Sequence, residues 1–180
     1  AGHARIVREG GVPVAVGVFN VPGVLADGAP NRSCEYDTLS AQYARFLLDE
    51  ILPEVEGTVR LRHDGGARAI SGLSSGGICA FTAAWERPDA FSKVLSWIGS
   101  FADIRGGHNY PPMIRKNPAK PIRVFLQDGE NDLDVPAGDW WLSNLTMASS
   151  PKYAGYDHLT AWGQGFHNDL HGGAIFPDCL

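Results

Sequence analysis

Residues 67–86 read ARAISGLSSGGICAFTAAWE, two apolar runs joined by a glycine- and serine-rich turn. Ala67 to Ser71 predicts a short strand, and Gly76 to Glu86 predicts a helix stopped before Pro88. Between them lies Gly72-Leu73-Ser74-Ser75-Gly76, a G-x-S-x-G. A serine on so sharp a strand-to-helix turn is held exposed. Glycines on either side permit the strained backbone and the close approach of helix to strand. The helix N-terminus behind it, with the Ser75 N–H, suits a developing oxyanion. Ser74 is therefore the expected nucleophile. Ser71 and Ser75 compete, but neither holds the central position, and an ordinary Gly/Ser turn into a helix is the plain alternative.

Outward from this turn, apolar strand-like runs alternate with amphipathic helices. Val12 to Val21 is rich in β-branched residues, ends at Pro22-Gly23 and predicts a buried strand followed by a turn. Asp37 is a good N-cap, and the helix after it places Leu39, Tyr43, Phe46, Leu47 and Ile51 on one face until Pro53 ends it. Past the serine, Val94 to Ile98 predicts a strand, Gly106 to Pro121 a long loop and Ile122 to Gln127 another buried strand. A helix carrying Trp140, Trp141 and Leu145 follows, then a strand near His158 to Trp162. Such alternation implies an α/β fold with a mostly parallel sheet and helices on both faces. In such sheets the chemistry gathers at the carboxyl ends of the strands.

A serine needs a base to take its proton, and the base needs an acid to orient it. In this fold class the order along the chain is serine, acid, histidine. The strand Ile122–Gln127 runs into Asp128-Gly129-Glu130-Asn131-Asp132-Leu133-Asp134. Asp132 is the expected acid because it lies past the glycine turn, where the chain emerges beyond the strand. Asp134 is the runner-up, and Asp128, nearer the strand, reads as structural. His167 follows the last strand in a Gly-rich loop and is the expected base, with His171 as the alternative. His3 and His63 precede the serine and are disfavoured. His167 and His171 also spell H-x-x-x-H, but Asn168 stands where a zinc protease has its glutamate and glycines flank both sides, so no metal is expected. His108 and Tyr110 are expected to line a substrate pocket, and Trp97 and Phe101 fit a pocket wall or the core equally well.

A chain of 180 residues suits one domain, 1–180, and is too short for two comfortable ones. A formal net charge of -5 leaves no electrostatic case for nucleic acid or an anionic membrane as partner. Cys34, Cys79 and Cys179 form neither a metal-ligand spacing nor a disulfide framework. Asn31-Arg32-Ser33 and Asn144-Leu145-Thr146 match the glycosylation pattern, which chance often produces.

The stretches GVFNVPGV, EYDTLSAQYARFLLDEILPEVE, AISGLSSGGICAFTAAWERPDAF, RVFLQDGENDLD and GQGFHNDLHGGAIFPD together resemble the putative-esterase family of α/β-hydrolases. That family includes esterase D, enterochelin esterase, feruloyl esterases and mycolyl transferases. The resemblance implies an α/β-hydrolase-type sheet and a serine carboxylic-ester hydrolase that works through an acyl-enzyme without a cofactor. A G-x-N-D turn similar to Gly129–Asp132 supplies the acid in the feruloyl esterases, and a glycine-rich turn like Gly163–His167 supplies the base. Family members usually begin with further strands, one of which leads to a second oxyanion N–H. Nothing before Val12 reads as that strand, so the chain is expected to start one or more strands into the fold and to stop before a closing helix. The expected partner is a small-molecule ester, of a sugar or aryl type. The rival readings are acyl transfer by the same fold and a binding module with a weakened site.

Overall fold

The computed structural model describes residues 3–9 and 12–179, with side chains from residue 16 onward. Strands β1 (His3–Glu9) and β2 (Val12–Phe19) form an antiparallel pair of their own. The expected strand at Val12 is present, and a strand does precede it. The pair lies outside the main sheet, and Phe19 is 61% exposed, so the end of β2 is not buried as its β-branched run suggested.

Helix α1 (Arg32–Tyr36) ends at Asp37, which caps its C-terminus instead of starting a helix. Helical backbone then runs from α2 (Gln42–Phe46) through a π-helical turn at Leu47–Ile51 into α3 (Leu52–Glu56). Pro53 therefore does not end the helix. A proline fits the first turn of a helical segment, where its missing N–H is no loss, and the wider π turn before it accommodates the ring.

The main sheet is parallel, in the order β3 (Ala69–Leu73), β4 (Lys93–Trp97), β5 (Arg123–Asn131) and β8 (His158–Phe166). Helix α4 (Ser75–Glu86) connects β3 to β4. Helix α5 (Tyr110–Lys116) occupies part of the stretch expected to be loop. A small hairpin, β6 (Asp134–Val135) with β7 (Gly138–Asp139), leads into α6 (Trp140–Ala154), and α7 (Asp169–Ile175) follows β8. Among the described residues no helix is long and apolar enough to cross a membrane.

Side chains alternate across the sheet, as a pleated strand requires. Val94, Val124 and Leu126 join Phe81 and Trp85 of α4, Tyr110 and Ile114 of α5 and Met147 of α6 in one buried core. On the opposite face Trp97 packs on Phe125 and on Phe176, just after α7. Helices thus cover both faces, as in the α/β-hydrolase type. The register sets Leu73 beside Trp97 and Trp97 beside Gln127. Ser74 and Ile98 therefore leave β3 and β4 at one common edge, beside Asp128, where β5 continues in pairing with Trp162 of β8.

Candidate active site

Ser74 sits between β3 and α4 with φ 59° and ψ -121°, a conformation that costs a non-glycine residue about 1–3 kcal/mol. Several backbone contacts hold it there. Its N–H donates to the Trp97 carbonyl at 2.9 Å, and its own carbonyl accepts from Gly77, Ile78 and Ser100. The flanking glycine is obligatory in this turn. A Cβ on Gly72 would lie 2.0 Å from the Gly76 carbonyl oxygen. Ser75 is the first residue of α4, so its N–H precedes the intrahelical ladder and is free of it.

Two loops bring a histidine and a carboxylate to this serine. Beyond the sheet proper, β5 and β8 stay paired through a bulge, with Asn131 opposite Phe166. The Asn131 side-chain amide ties the two by donating to the Gln164 carbonyl at 2.9 Å. The next residues, Asp132 and His167, leave this pairing side by side. His167 Nδ1 lies 2.5 Å from Asp132 Oδ1, and His167 Nε2 lies 2.8 Å from Ser74 Oγ. A carboxylate can only accept, so Nδ1 carries the ring proton, and Nε2 is left to accept from the Ser74 hydroxyl. The Asp132 side chain is fully enclosed and that of His167 is 20% exposed. Burial alone opposes ionisation of Asp132. Hydrogen bonds from His167 and the Leu133 N–H outweigh it and hold the carboxyl below its ordinary range.

The structure brings Ser74, Asp132 and His167 together, with Ser75 behind the serine. Asp134 lies exposed in β6. His171 turns away: its Nδ1 is 2.9 Å from the Gln127 amide nitrogen, on the opposite face of the sheet. The H-x-x-x-H spacing therefore does not converge, and among the described residues no group of three or more His, Cys, Asp or Glu could hold a metal.

Tyr110 is a correction. It is 1% exposed, donates to Thr82 Oγ1 at 2.7 Å and packs against Phe81 and Phe101, so it belongs to the core and not to a pocket wall. Its spacing to Ile114 after a Pro111-Pro112 helix start was the available signal. Trp97 and Phe101 are likewise buried. His108 keeps a place at the surface. Its Nδ1 is 3.1 Å from Asp103 Oδ1, and it lines a cleft of about 280 Å³ with Phe101, Pro111, Asp139 and Leu142.

Three neighbours of the site carry no signal in the sequence. Ser100 Oγ lies 3.3 Å from Ser74 Oγ, the Trp140 ring stands edge-on to His167 at 5.9 Å, and Asn144 links α6 to the Gly99 carbonyl. Asp37 is a fourth. Burial pushes its carboxyl above the ordinary range, the neighbouring Ser75 and Ser33 pull it the other way, and its Oδ1 is buried with no partner.

Solved structures share this frame. A ferulic acid esterase aligns with TM-score 0.65 at 20% identity, over 77% of this chain and 58% of that one. The enterobactin esterase of Shigella flexneri, solved in the presence of 2,3-dihydroxy-N-benzoyl-serine, aligns with TM-score 0.69 at 20% identity, over 82% and 38%. A ferulic acid esterase of the anaerobic fungus Anaeromyces mucronatus aligns with TM-score 0.60 at 16% identity, over 76% and 51%. At these identities the likeness is one of fold. The chain spans between 37% and 58% of the length of such structures. No curated protein matches the sequence. The sequence profile described as Putative esterase matches residues 25–165, a range that holds Ser74 and Asp132 and stops two residues short of His167. With most of its length matched, this chain belongs to the putative-esterase family.

Proposed function

We propose that this protein is a serine hydrolase of carboxylic esters that works through an acyl-enzyme. The observation that carries the reading is the unbroken chain Asp132–His167–Ser74, with contacts of 2.5 and 2.8 Å, ending on a serine held at positive φ. His167 Nε2 takes the Ser74 proton as Oγ attacks the ester carbonyl, then gives it to the leaving alcohol. Asp132 keeps Nδ1 protonated and stabilises the imidazolium that forms. The Ser75 N–H, at the head of α4, donates to the developing oxyanion. Water, activated by the same histidine, then releases the acid. Every step uses side chains and backbone of this chain, and no cofactor enters.

The substrate class proposed is a small ester with an apolar or aryl acyl group. Leu133 and Phe166, next to Asp132 and His167 in sequence, are 37% and 62% exposed, and apolar side chains at the mouth of a site favour such groups.

Ser74→Ala is the direct test. It removes the nucleophile without touching the core. Hydrolysis of short p-nitrophenyl esters and labelling by a fluorophosphonate probe should both vanish, with the melting temperature unchanged. Wild-type turnover in this variant, or probe labelling lost only in Ser71→Ala or Ser75→Ala, would refute the assignment. Products formed with and without an added sugar acceptor distinguish hydrolysis from acyl transfer.

A further inference from the structure

Asp128 takes no step in the mechanism above, yet its side chain is completely enclosed at the carboxyl end of β5. Its Oδ1 accepts from the Gly129 N–H at 2.7 Å, and its Oδ2 is buried with no donor. Asp132 has the same pattern. Its Oδ1 accepts from His167 Nδ1 and from the Leu133 N–H at 2.6 Å, while its Oδ2 is buried with no donor. The Asp132 N–H donates to the Gly129 carbonyl at 3.1 Å and closes the turn between the two residues, and each carboxyl perturbs the ionisation of the other.

Neutral donors nearby cannot repair either orphan. The Asn144 amide of α6 lies beside Asp128 and pulls its carboxyl downward, but its two hydrogens go to the Gly99 and Trp140 carbonyls at 2.9 and 3.0 Å, and its own Oδ1 is buried with no partner. The Trp140 indole N–H is buried and reaches no acceptor. Two enclosed carboxylates in contact repel each other, and each unpaired oxygen carries a desolvation penalty. A single proton between the two Oδ2 atoms removes both faults. We propose that Asp128 is a neutral carboxylic acid whose O–H donates to Asp132 Oδ2, fixing the triad acid from the side opposite His167. Asp128 is thus a positioning residue. Its catalytic consequence rests on the triad reading, but the shared proton does not.

The titratable groups facing Asp128 are Asp132 and, beyond it, His167, while α6 presents the neutral Asn144 amide. Burial first, and the Asp132 carboxylate second, push the Asp128 carboxyl up to about 8, against about 4 in an unfolded chain. Between those values the folded protein holds a proton that the unfolded chain has lost. Stability therefore falls as pH rises through that window and levels off above it. Asp128→Asn supplies an N–H donor of the same shape with nothing to titrate, so it should escape this loss.

The experiment compares wild type, Asp128→Asn and Asp128→Ala. The melting-temperature advantage of Asp128→Asn over wild type should grow from pH 4.5 to about 8 and then stay constant. At pH 7, kcat/KM should fall roughly tenfold to a hundredfold in Asp128→Ala and recover to within about threefold of wild type in Asp128→Asn. Above pH 8, kcat/KM should drop in wild type but not in Asp128→Asn. Infrared spectra at pH 7 should show the C=O stretch of a protonated carboxyl in wild type and in Asp37→Asn, absent in the Asp37→Asn/Asp128→Asn double variant and lost from Asp37→Asn above pH 8. A melting-temperature gap independent of pH, or no such band at pH 7, would overturn the proposal. If Asp128→Asn does not fold, the infrared titration of wild type and Asp37→Asn decides alone. Should the triad reading fail instead, Ser74→Ala would stay active while the infrared and melting results stood.

Discussion

Each of the three side chains proposed to carry the chemistry is held by backbone features that its own stretch of sequence encodes. Ser74 keeps φ 59° because Gly72 lets the helix return so close to the strand. His167 follows the last β8 residue, and both its ring nitrogens are engaged, one by Asp132 and one by Ser74. His171, four residues on, braces Gln127 instead. His167→Ala should therefore cut kcat/KM by about a thousandfold or more, the loss expected when a general base and its proton relay disappear. His171→Ala should stay within about tenfold of wild type. Comparable losses in both variants, measured on one p-nitrophenyl ester, would mean that His167 is not the base. Ser74, Asp132 and His167 are legible in the sequence because strand ends and chain order leave few candidates. The state of Asp128 is not. A carboxyl in an acidic turn reads as solvated until burial and contact with Asp132 are known.

At the scale of elements, the site depends on two strands running together past the end of the sheet. β5 and β8 approach closely at Gly129, where a Cβ would lie 2.3 Å from the Gly165 carbonyl oxygen. This closeness lets the pair deliver Asp132 and His167 in contact. Gly129→Ala must push the strands apart, and a displacement near 1 Å in a catalytic group can cost about a hundredfold in rate. A loss of that order in kcat/KM is expected, with about 1–3 kcal/mol of stability lost to overpacking. Gly173→Ala is the control, because nothing lies within 4 Å of the added methyl group. Activity unchanged in Gly129→Ala would show that the strand approach does not set the site. The strands are predictable because buried parallel strands read as short apolar runs. The boundaries that differ have local causes. Pro53 passes for a helix stop because a π turn before it leaves no mark in composition, and Asp37 passes for an N-cap because the same residue type also closes α1.

Across the whole molecule, the core lies mainly under one face of the sheet, and Phe81 is at its centre. Its ring is fully buried and meets Trp85 at 6.0 Å, Phe101 at 5.9 Å and Tyr110 at 4.9 Å. One side chain of α4 thereby joins the helix that follows Ser74 to α5 and to the loop after β4. Composition can announce a core of this size, but which aromatics fill it depends on tertiary packing. Tyr110 reads as a pocket residue for that reason. Removing the Phe81 ring should cost about 3–5 kcal/mol through lost burial and the cavity left behind. In a domain of this length that lowers the melting temperature by roughly 6–20 °C. Phe81 touches no reacting group, so well below its new melting temperature Phe81→Ala should keep kcat/KM within about threefold of wild type. Thermal melts beside initial rates at low temperature separate the two effects. A small shift in melting temperature with a large loss of activity would mean that this aromatic cluster shapes the site itself and does not merely support the fold around it.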